Sequence, residues 1–166
     1  MKHLIFITLL LTALITACNT GSRNPEGNVA LVENYIKAVE NADAELMESL
    51  LAENYVGFGP SFGDSIGKAQ ALLNWKDNVE NLYEKIRYNS SRNIAISITT
   101  GPNQGDWVSN WAELFIRYKQ NQGSVTIWAN TIYLIENNKI AKSYTFYNEA
   151  DALRQLGYVI IDPNDL

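Results

Sequence analysis

The sequence predicts an α+β domain in which a strongly bent antiparallel sheet forms a cone over N-terminal helices. Helical patterns with one apolar face occupy the first half of the chain, and three long runs of period-two alternation occupy the second half. Short turns rich in Asn, Gln and Gly separate these runs, which favours consecutive hairpins. Helices and hairpins segregated in this way are typical of α+β domains. A half-open cone leaves a cavity between sheet and helices, where ligands usually bind.

Three helices are predicted ahead of the long strands. Asn28 is expected to cap the first helix, whose apolar residues recur at helical spacing, and Asp43 is expected to cap the second. The glycine-rich segment from Asn54 to Gly63 is interpreted as a short strand followed by a loop. The third helix is predicted from Lys68 to Ile86. The first two helices predict a helical layer with one buried face.

Four strands and a short helix complete the predicted domain. The strands are assigned to residues 93–100, 107–119, 124–136 and 139–148, and the helix to residues 149–155. The predicted order of elements is therefore α-α-β-α-β-β-β-β-α. In the second and third of these strands, both faces carry apolar or aromatic residues. Both sides of the sheet are therefore expected to be covered.

The N-terminal residues have the pattern of an export signal. Lys2 and His3 form a short basic region, and an apolar run follows from Leu4 to Leu14. This run is shorter than the roughly 20 residues that a membrane-spanning helix needs, which favours a cleaved signal. The tetrapeptide Ile-Thr-Ala-Cys, which ends at Cys18, resembles the lipobox of bacterial lipoproteins. The resemblance implies cleavage before Cys18, lipidation of this cysteine, and attachment to the bacterial cell envelope, on the periplasmic side or at the outer surface.

The composition of the chain predicts the limits of a signal, a tether, a folded domain and a tail. Residues 1–17 are the predicted signal, and residues 18–27, which are polar and rich in turn formers, are a predicted flexible tether. The folded domain is predicted at residues 28–161, with a short tail at residues 162–166. Without the signal the chain keeps 12 basic and 18 acidic residues and has no histidine.

This composition excludes several classes of function. An acidic chain without clustered Lys and Arg is a poor candidate for binding nucleic acid. Because histidine is absent and Cys18 is the only cysteine, neither a Ser-His-Asp nor a Cys-His catalytic arrangement can be built. The same absence excludes a zinc site with His and Cys ligands. We therefore expect no metal and no cofactor.

The C-terminal part of the chain carries a family resemblance. Residues 137–140 (Asn-Asn-Lys-Ile) turn into the last strand, residues 144–148 (Tyr-Thr-Phe-Tyr-Asn) end it, and residues 150–157 (Ala-Asp-Ala-Leu-Arg-Gln-Leu-Gly) follow. With the N-terminal helix pair and the glycine-rich segment, they resemble the nuclear-transport-factor-2-like superfamily and in particular its SnoaL-like polyketide cyclase branch. The resemblance covers residues 28–158 and implies a cone-shaped, cystatin-like fold and a homodimer through the sheet. The superfamily includes isomerases, dehydratases, cyclases and transport factors, so the fold alone does not fix the function.

One position departs from the cyclase-like pattern. Where cyclase-like members carry an aspartate at the end of the last long strand, this chain has Asn148. An amide does not exchange a proton at physiological pH, so an acid or base role at this position is lost. Asn148 can still orient a carbonyl-bearing ligand through hydrogen bonds. The sequence therefore favours ligand binding over catalysis.

The candidate site residues form two sets. The candidate proton carriers are Asp64, Glu113 and Tyr144, although a loop or helix cap and a solvated strand face are the simpler interpretations of the two carboxylates. The candidate ligand wall combines the residues of the last strand that share the parity implied by the resemblance with aromatic residues of surrounding elements. These seven residues are Asn148, Tyr144, Phe146, Tyr55, Phe58, Trp75 and Trp111.

Three functions remain open at this point. The first is an envelope-anchored lipoprotein that binds a small, mostly apolar or carbonyl-bearing molecule in the cone without covalent chemistry. The second is a cyclase, isomerase or dehydratase that uses a carboxylate or tyrosine as general acid or base. The third is a protein-interaction module on the outer face of the sheet. A carboxylate inside the cavity would favour the enzyme, whereas a cavity lined by neutral groups would favour binding.

Overall fold

The computed structural model of the chain describes residues 24–159, 161–162 and 164. The predicted signal, the Cys18 lipidation site and most of the predicted tether lie outside the described residues. Within these ranges, no helix combines the length and the apolar composition needed to span a membrane. The order of elements confirms an α+β domain with its first two helices ahead of the sheet.

Four α-helices are present in the described part of the chain. They are α1 (Pro25–Glu40), α2 (Ala44–Leu50), α3 (Lys68–Asp77) and α4 (Glu149–Gln155). A π-helical turn (Asn78–Leu82) follows α3 directly. Asp43 caps α2 as predicted, by accepting a hydrogen bond from the backbone N–H of Leu46 at 2.9 Å.

The predicted cap of the first helix is wrong. Asn24, not Asn28, caps α1, and its side chain accepts from the backbone N–H of Gly27 at 2.9 Å. Pro25 follows at the first helical position, where its fixed φ and missing N–H cost nothing. Asn28 is buried inside the first turn. The helix therefore begins four residues earlier than the sequence predicted.

A mixed sheet of six strands forms the rest of the described domain. The strands are β1 (Leu51–Phe58), β2 (Ser65–Gly67), β3 (Tyr83–Ile98), β4 (Gly105–Tyr118), β5 (Ser124–Glu136) and β6 (Lys139–Tyr147). Their order across the sheet is β2-β1-β6-β5-β4-β3. The prediction of a purely antiparallel sheet is wrong in one pair, because β1 runs parallel to β6. Alternation within a strand carries no information about the direction of a neighbour that is distant in sequence.

The third predicted helix is too long. Tyr83 and Ile86, which were assigned to it, lie in β3 instead, and the helix ends at Asp77. A break in register between Asn89 and Arg92 interrupts the alternation of β3. A second break lies between Tyr83 and Lys85. Each break shifts the apolar positions by one residue, so β3 does not show a continuous period of two.

The core lies between α1, α2 and one face of the sheet, which we call the inner face. Val32 of α1, Val108 of β4 and Ile140 of β6 are fully buried in it. The opposite, outer face carries Trp111, Trp128 and the other side chains of the same parity on β4 and β5. The helices therefore cover the inner face, whereas on the outer face Trp107 and Leu134 are buried and Trp128 and Phe146 are exposed.

Helix α4 is held against the sheet by a side-chain clamp. The amide of Gln155 donates to the backbone carbonyl of Thr126 and accepts from the backbone N–H of the same residue, both at 2.9 Å. Strand β6 ends at Tyr147, which pairs with Ala129, so Thr126 lies beyond the end of this ladder. The Gln155 side chain thus supplies to β5 the two hydrogen bonds that a longer β6 would have made.

Candidate functional site

The inner face encloses a cavity of about 170 Å³, which we call the inner cavity. Residues of α1, α3, α4 and the four strands from β3 to β6 contribute its walls. They are Val39, Trp75, Tyr83, Ile86, Tyr88, Leu114, Ile116, Tyr118, Ile127, Tyr147 and Ala152. Six aliphatic and five aromatic side chains therefore surround a space between sheet and helices, where the cone-shaped fold was expected to hold a ligand.

Three aromatic rings form one wall of the inner cavity. The ring centroid of Trp75 on α3 lies 6.2 Å from that of Tyr83 on β3, with the planes inclined at 43°. The ring of Tyr83 lies 5.7 Å from that of Tyr118 on β4, at 58°. Both distances lie in the range that favours aromatic pairs. The π-helical turn brings α3 directly into β3, which places Trp75 and Tyr83 side by side.

The polar groups of the inner cavity are neutral. Burial raises the pKa of Tyr83 and of Tyr88 to about 12. Burial, and then the nearby Glu149 carboxylate, raise the pKa of Tyr118 and of Tyr147 as well. None of the lining residues that the structure describes carries a formal charge at neutral pH. The cavity therefore presents tyrosine hydroxyls and one indole N–H in an otherwise apolar lining.

Further tyrosines pack in the core on the same side of the sheet. The rings of Tyr35 on α1 and Tyr133 on β5 are 6.0 Å apart, and burial raises the pKa of both phenols. Tyr55 of β1 is buried, and its hydroxyl is 2.7 Å from Oγ of Ser143 on β6. These residues belong to the packed core and do not line the inner cavity.

The predicted proton carriers lie apart from the inner cavity. Asp64 is exposed in the turn between β1 and β2, where its backbone N–H donates to the carbonyl of Ser61. Glu113 lies on the outer face of β4, 3.5 Å from the side-chain amide of Asn89. Tyr144 lies on the outer face of β6, stacked on Phe58. The described residues hold no cluster of three or more His, Cys, Asp or Glu side chains that could bind a metal.

Of the seven residues of the predicted ligand wall, the structure places Trp75 at the inner cavity. Tyr55 is in the core, and the other five are on the outer side of the sheet. Phe58 and Tyr144 stack there with ring centroids 4.8 Å apart. Trp111, Phe146 and Asn148 lie along an open groove on the same side, together with Trp128, Ala129, Asn130, Tyr147 and Glu149. As a single wall of the cone, the predicted set is therefore wrong.

A bulge in β6 explains this error. Ile140 pairs with Ile135, whereas Lys142 pairs with the adjacent Leu134, so Ala141 is an extra residue in the strand. Counting alternate positions from the buried Ile140 would place Tyr144 on the inner face. The bulge reverses the parity and turns Tyr144 outward and Tyr147 inward. The sequence around Ala141 contains no glycine or proline that would have indicated the bulge.

Asn148 has a local structural partner. Its side-chain oxygen accepts from the backbone N–H of Asp151 at 3.1 Å, which makes it the N-cap of α4. The residue is exposed and lies at the end of the outer groove. The prediction that it acts as a polar handle inside the cone is therefore wrong in position.

Sequence reasoning missed four of the five aromatic residues of the inner cavity. Tyr118 has the parity of the buried Ala112 and Ile116 on β4, and this pattern was the available signal for it. Tyr83 was assigned to the predicted third helix, and Tyr88 lies between that helix and the next predicted strand, although both belong to β3. The bulge in β6 concealed Tyr147.

Comparisons with solved structures agree with this architecture. A nuclear-transport-factor-2-like protein of Burkholderia xenovorans LB400 aligns with a TM-score of 0.62 and 14% identity over 81% of this chain and 99% of its own. A protein assigned as a SnoaL-like polyketide cyclase of Shewanella denitrificans OS-217 aligns at 0.60 and 17%, over 77% and 95%. An epoxide hydrolase of the LEH-like type from M. tuberculosis aligns at 0.58 and 13%, over 80% and 90%.

These likenesses show the fold. No protein-family model matches the chain, and no curated protein matches its sequence. The chain has the cone fold of nuclear-transport-factor-2-like proteins, as found in the SnoaL-like branch. The fold class predicted from the sequence is thereby confirmed.

Proposed function

We propose that this chain is an envelope-anchored lipoprotein whose domain binds a small, mostly apolar molecule in the inner cavity without covalent chemistry. The observation that carries the proposal is the lining of that cavity. Trp75 and four tyrosines are neutral at physiological pH and surround a volume of about 170 Å³. An apolar cavity with a few polar groups is the usual form of a small-molecule site. A phosphate, carboxylate or nucleotide ligand would have no cationic side chain to pair with among the lining residues.

The enzyme alternative has less support. A cyclase, isomerase or dehydratase needs a group that exchanges a proton near neutral pH. Asp64 and Glu113 do not line the inner cavity, and the pKa of Tyr83, at about 12, is far above the working range of a general base. Binding without turnover therefore fits the lining better than catalysis does.

Filling the cavity tests the binding proposal. Ala152 of α4 lines the inner cavity, whereas Ala150 on the same helix does not. The wild-type domain, Ala152→Leu and Ala150→Leu are screened by thermal unfolding against single-ring apolar compounds. A ligand present at about 100 times its dissociation constant stabilises the native state by roughly 2.7 kcal/mol. We expect this stabilisation in the wild type and Ala150→Leu, and its loss in Ala152→Leu.

Two outcomes would contradict the proposal. If no compound stabilises the wild type, the cavity is not a ligand site. If Ala152→Leu responds as strongly as the wild type, the ligand binds elsewhere. Mass spectrometry of the bound compound after incubation separates binding from turnover, because a changed mass would favour the enzyme.

Lipidation at Cys18 is the second part of the proposal. Only six residues separate Cys18 from the start of α1 at Pro25. Fully extended, six residues span about 20 Å, so the domain would stay close to the membrane surface. Metabolic labelling with an alkyne fatty acid in a bacterial host is expected to mark the wild type and to be lost in Cys18→Ser. Equal labelling of both would exclude the anchor.

A second candidate function is pairing of two copies through the outer face. Trp128 is 68% exposed and Phe146 is 52% exposed there, which is unusual for large apolar side chains in a monomer. The same face carries Glu113 together with Arg87 and Arg92, so it can meet a second copy of itself with opposite charges aligned. These features support a homodimer through the sheet.

Sedimentation analysis tests the pairing. The expected result is a dimer for the wild type and a monomer for Trp128→Glu. As a matched control, Tyr158→Glu changes another exposed aromatic residue, which follows α4, and should leave the dimer intact. A wild type that stays monomeric at high concentration would rule out self-association through this face.

A further inference from the structure

Trp75, which lines the inner cavity, carries a buried polar atom without a partner. The indole Nε1 of Trp75 is buried, and no hydrogen-bond acceptor among the described residues reaches it. It is the single side-chain atom of this kind that the described part of the chain contains. More than nine-tenths of buried polar groups in proteins have a partner, because leaving one without a partner is costly. An indole N–H can only donate, so the missing partner is an acceptor.

The surroundings of Trp75 limit what can supply this acceptor. Its ring packs 6.2 Å from Tyr83, which in turn packs against Tyr118. Phenols near neutral pH are uncharged, and burial keeps the phenol of Tyr83 protonated well above that range. Two carboxylates stand outside the lining, Glu149 near Tyr118 and Tyr147, and Glu40 near Tyr88.

These charges argue against an ionic ligand. An anion would lose its hydration in the cavity without a cation to pair with, and Glu149 and Glu40 would repel it. A cation could stack on the aromatic rings, but it would leave the Trp75 N–H without an acceptor. A neutral molecule with one acceptor atom is not repelled by the carboxylates, and it can accept a hydrogen bond from the Trp75 N–H.

The volume of the inner cavity limits how much of a ligand fits between its walls. An apolar cavity of roughly 150 Å³ holds a molecule as large as benzene. The inner cavity, at about 170 Å³, therefore holds one ring with a short substituent. A molecule of several fused rings would need the walls to move apart.

We propose that Trp75 Nε1 donates a hydrogen bond to the acceptor oxygen of a neutral ligand about one ring in size, such as a monocyclic ketone. The inference rests on the proposed function, since it assigns the ligand class and the anchoring group of the same cavity. Trp75 is thus the residue that orients the ligand, in place of the exposed Asn148. The indole packs against the ring of Tyr83, which in turn packs against Tyr118, and these contacts hold it in position.

Two probes of the same shape separate the hydrogen bond from hydrophobic contact. Acetophenone carries a carbonyl oxygen where α-methylstyrene carries a methylene group. The dissociation constants of both are measured for the full domain, for Trp75→Phe, and for Trp111→Phe as a control on the outer face. The ratio of the two constants removes differences in hydrophobicity. We expect the relative preference for acetophenone to fall roughly three- to tenfold in Trp75→Phe and to stay unchanged in Trp111→Phe.

A second measurement needs no variant of Trp75. The four tryptophans give four indole N–H signals in a spectrum of ¹⁵N-labelled protein, and triple-resonance experiments on the wild type assign them. Acetophenone is expected to move the Trp75 signal downfield, and α-methylstyrene is expected to leave its hydrogen bonding unchanged.

The outcomes distinguish the inference from the proposed function. In one outcome, both probes bind, shift the Trp75 indole signal equally, and keep the same ratio of dissociation constants in Trp75→Phe as in the wild type. In that case the cavity binds ligands but Trp75 is not the donor. If tetramethylammonium binds there more tightly than either probe, the neutral class is wrong. If neither probe nor tetramethylammonium binds, the inner cavity is not a site of this kind, and both proposals fail.

Discussion

The two faces of the sheet have similar strand sequences and very different surroundings. On β4, the inner positions carry Val108, Ala112 and Ile116, which are nearly free of solvent contact, and the outer positions carry Trp111 and Phe115, which are half-buried. Both faces are apolar, so hydrophobicity alone does not distinguish them. What distinguishes them is the position of α1 and α2, which cover only the inner face. The helices therefore account for burial on the inner face, although Trp107 and Leu134 are buried on the outer face as well.

The largest expected difference between the faces is in stability. Ile140 on the inner face is 0% exposed, and Ile96 on the outer face is 46% exposed. Truncating a fully buried isoleucine to alanine removes its transfer free energy and leaves a cavity, at a cost of about 2–5 kcal/mol. We expect Ile140→Ala to lose stability in this range and Ile96→Ala to lose less than about 1 kcal/mol, as measured by urea unfolding. Equal losses would mean that the outer face is as deeply buried as the core, as it would be in a tight dimer.

The second-largest expected effect is a loss of stability at alkaline pH, caused by the buried tyrosines of the inner face. The folded-state pKa of Tyr83 and Tyr88, at about 12, lies above the value of about 10 for an unfolded tyrosine. The unfolded state therefore releases these protons first, so the free energy of unfolding falls as the pH rises from about 10 to 12. We expect urea unfolding to show this fall, with a smaller slope in Tyr83→Phe. An identical slope in the variant would show that Tyr83 titrates normally.

Removing the N-cap of helix α4 is expected to have a smaller effect on stability. Asn148 accepts from the backbone N–H of Asp151 at 3.1 Å, and loss of such a cap costs about 1 kcal/mol. We expect Asn148→Ala to lower the free energy of unfolding by this amount and Asn148→Asp to change it little, since aspartate caps as well. Ligand binding in the inner cavity should be the same in all three proteins. A loss of ligand binding in Asn148→Ala alone would show that Asn148 contributes to the ligand site.

The smallest expected effect is that of Trp128 on the isolated domain. Because most of its side chain is exposed, Trp128→Ser should change the unfolding free energy by less than about 0.5 kcal/mol at a protein concentration low enough to give monomers. At high concentration the wild type should become more stable than the variant if the outer faces pair. Thermal unfolding over a range of concentrations measures both. A large loss in dilute solution would instead indicate packing within one chain.

Much of the fold could be predicted from local patterns. Strand β5 and helix α4 have the predicted limits, and Asp43 caps α2, because turn residues and caps act over a few residues. The parallel neighbour of β1, by contrast, is some 90 residues away in the chain, and no local pattern encodes it. No local pattern encodes the bulge at Ala141 either, because it depends on the register between β6 and β5.

The site was less predictable than the fold for a physical reason. One extra residue in β6 exchanges Tyr144 for Tyr147 at the inner face, so an error of one position reverses the assignment of the whole strand. Trp75 lines the inner cavity from α3, so its position does not depend on which way β6 faces. Its buried N–H without a partner is a property of the packed structure and has no counterpart in the sequence.

The parallel pair of β1 and β6 also has a consequence for how the chain acquires its fold. Phe58 pairs with Tyr144, so a loop of more than eighty residues must close before these two strands meet. Contacts of such long range are slow to form, because the entropy of the loop is lost before the contact is gained. We therefore expect β1 and its hairpin partner β2 to join the sheet last, after β3 to β6 have assembled through their short turns. In pulsed hydrogen exchange during refolding, the backbone amides of β1 would become protected after those of β5. A chain that leaves the ribosome N-terminus first, and that we propose crosses a membrane, thus carries its first strand without its β6 neighbour until its last strand has emerged.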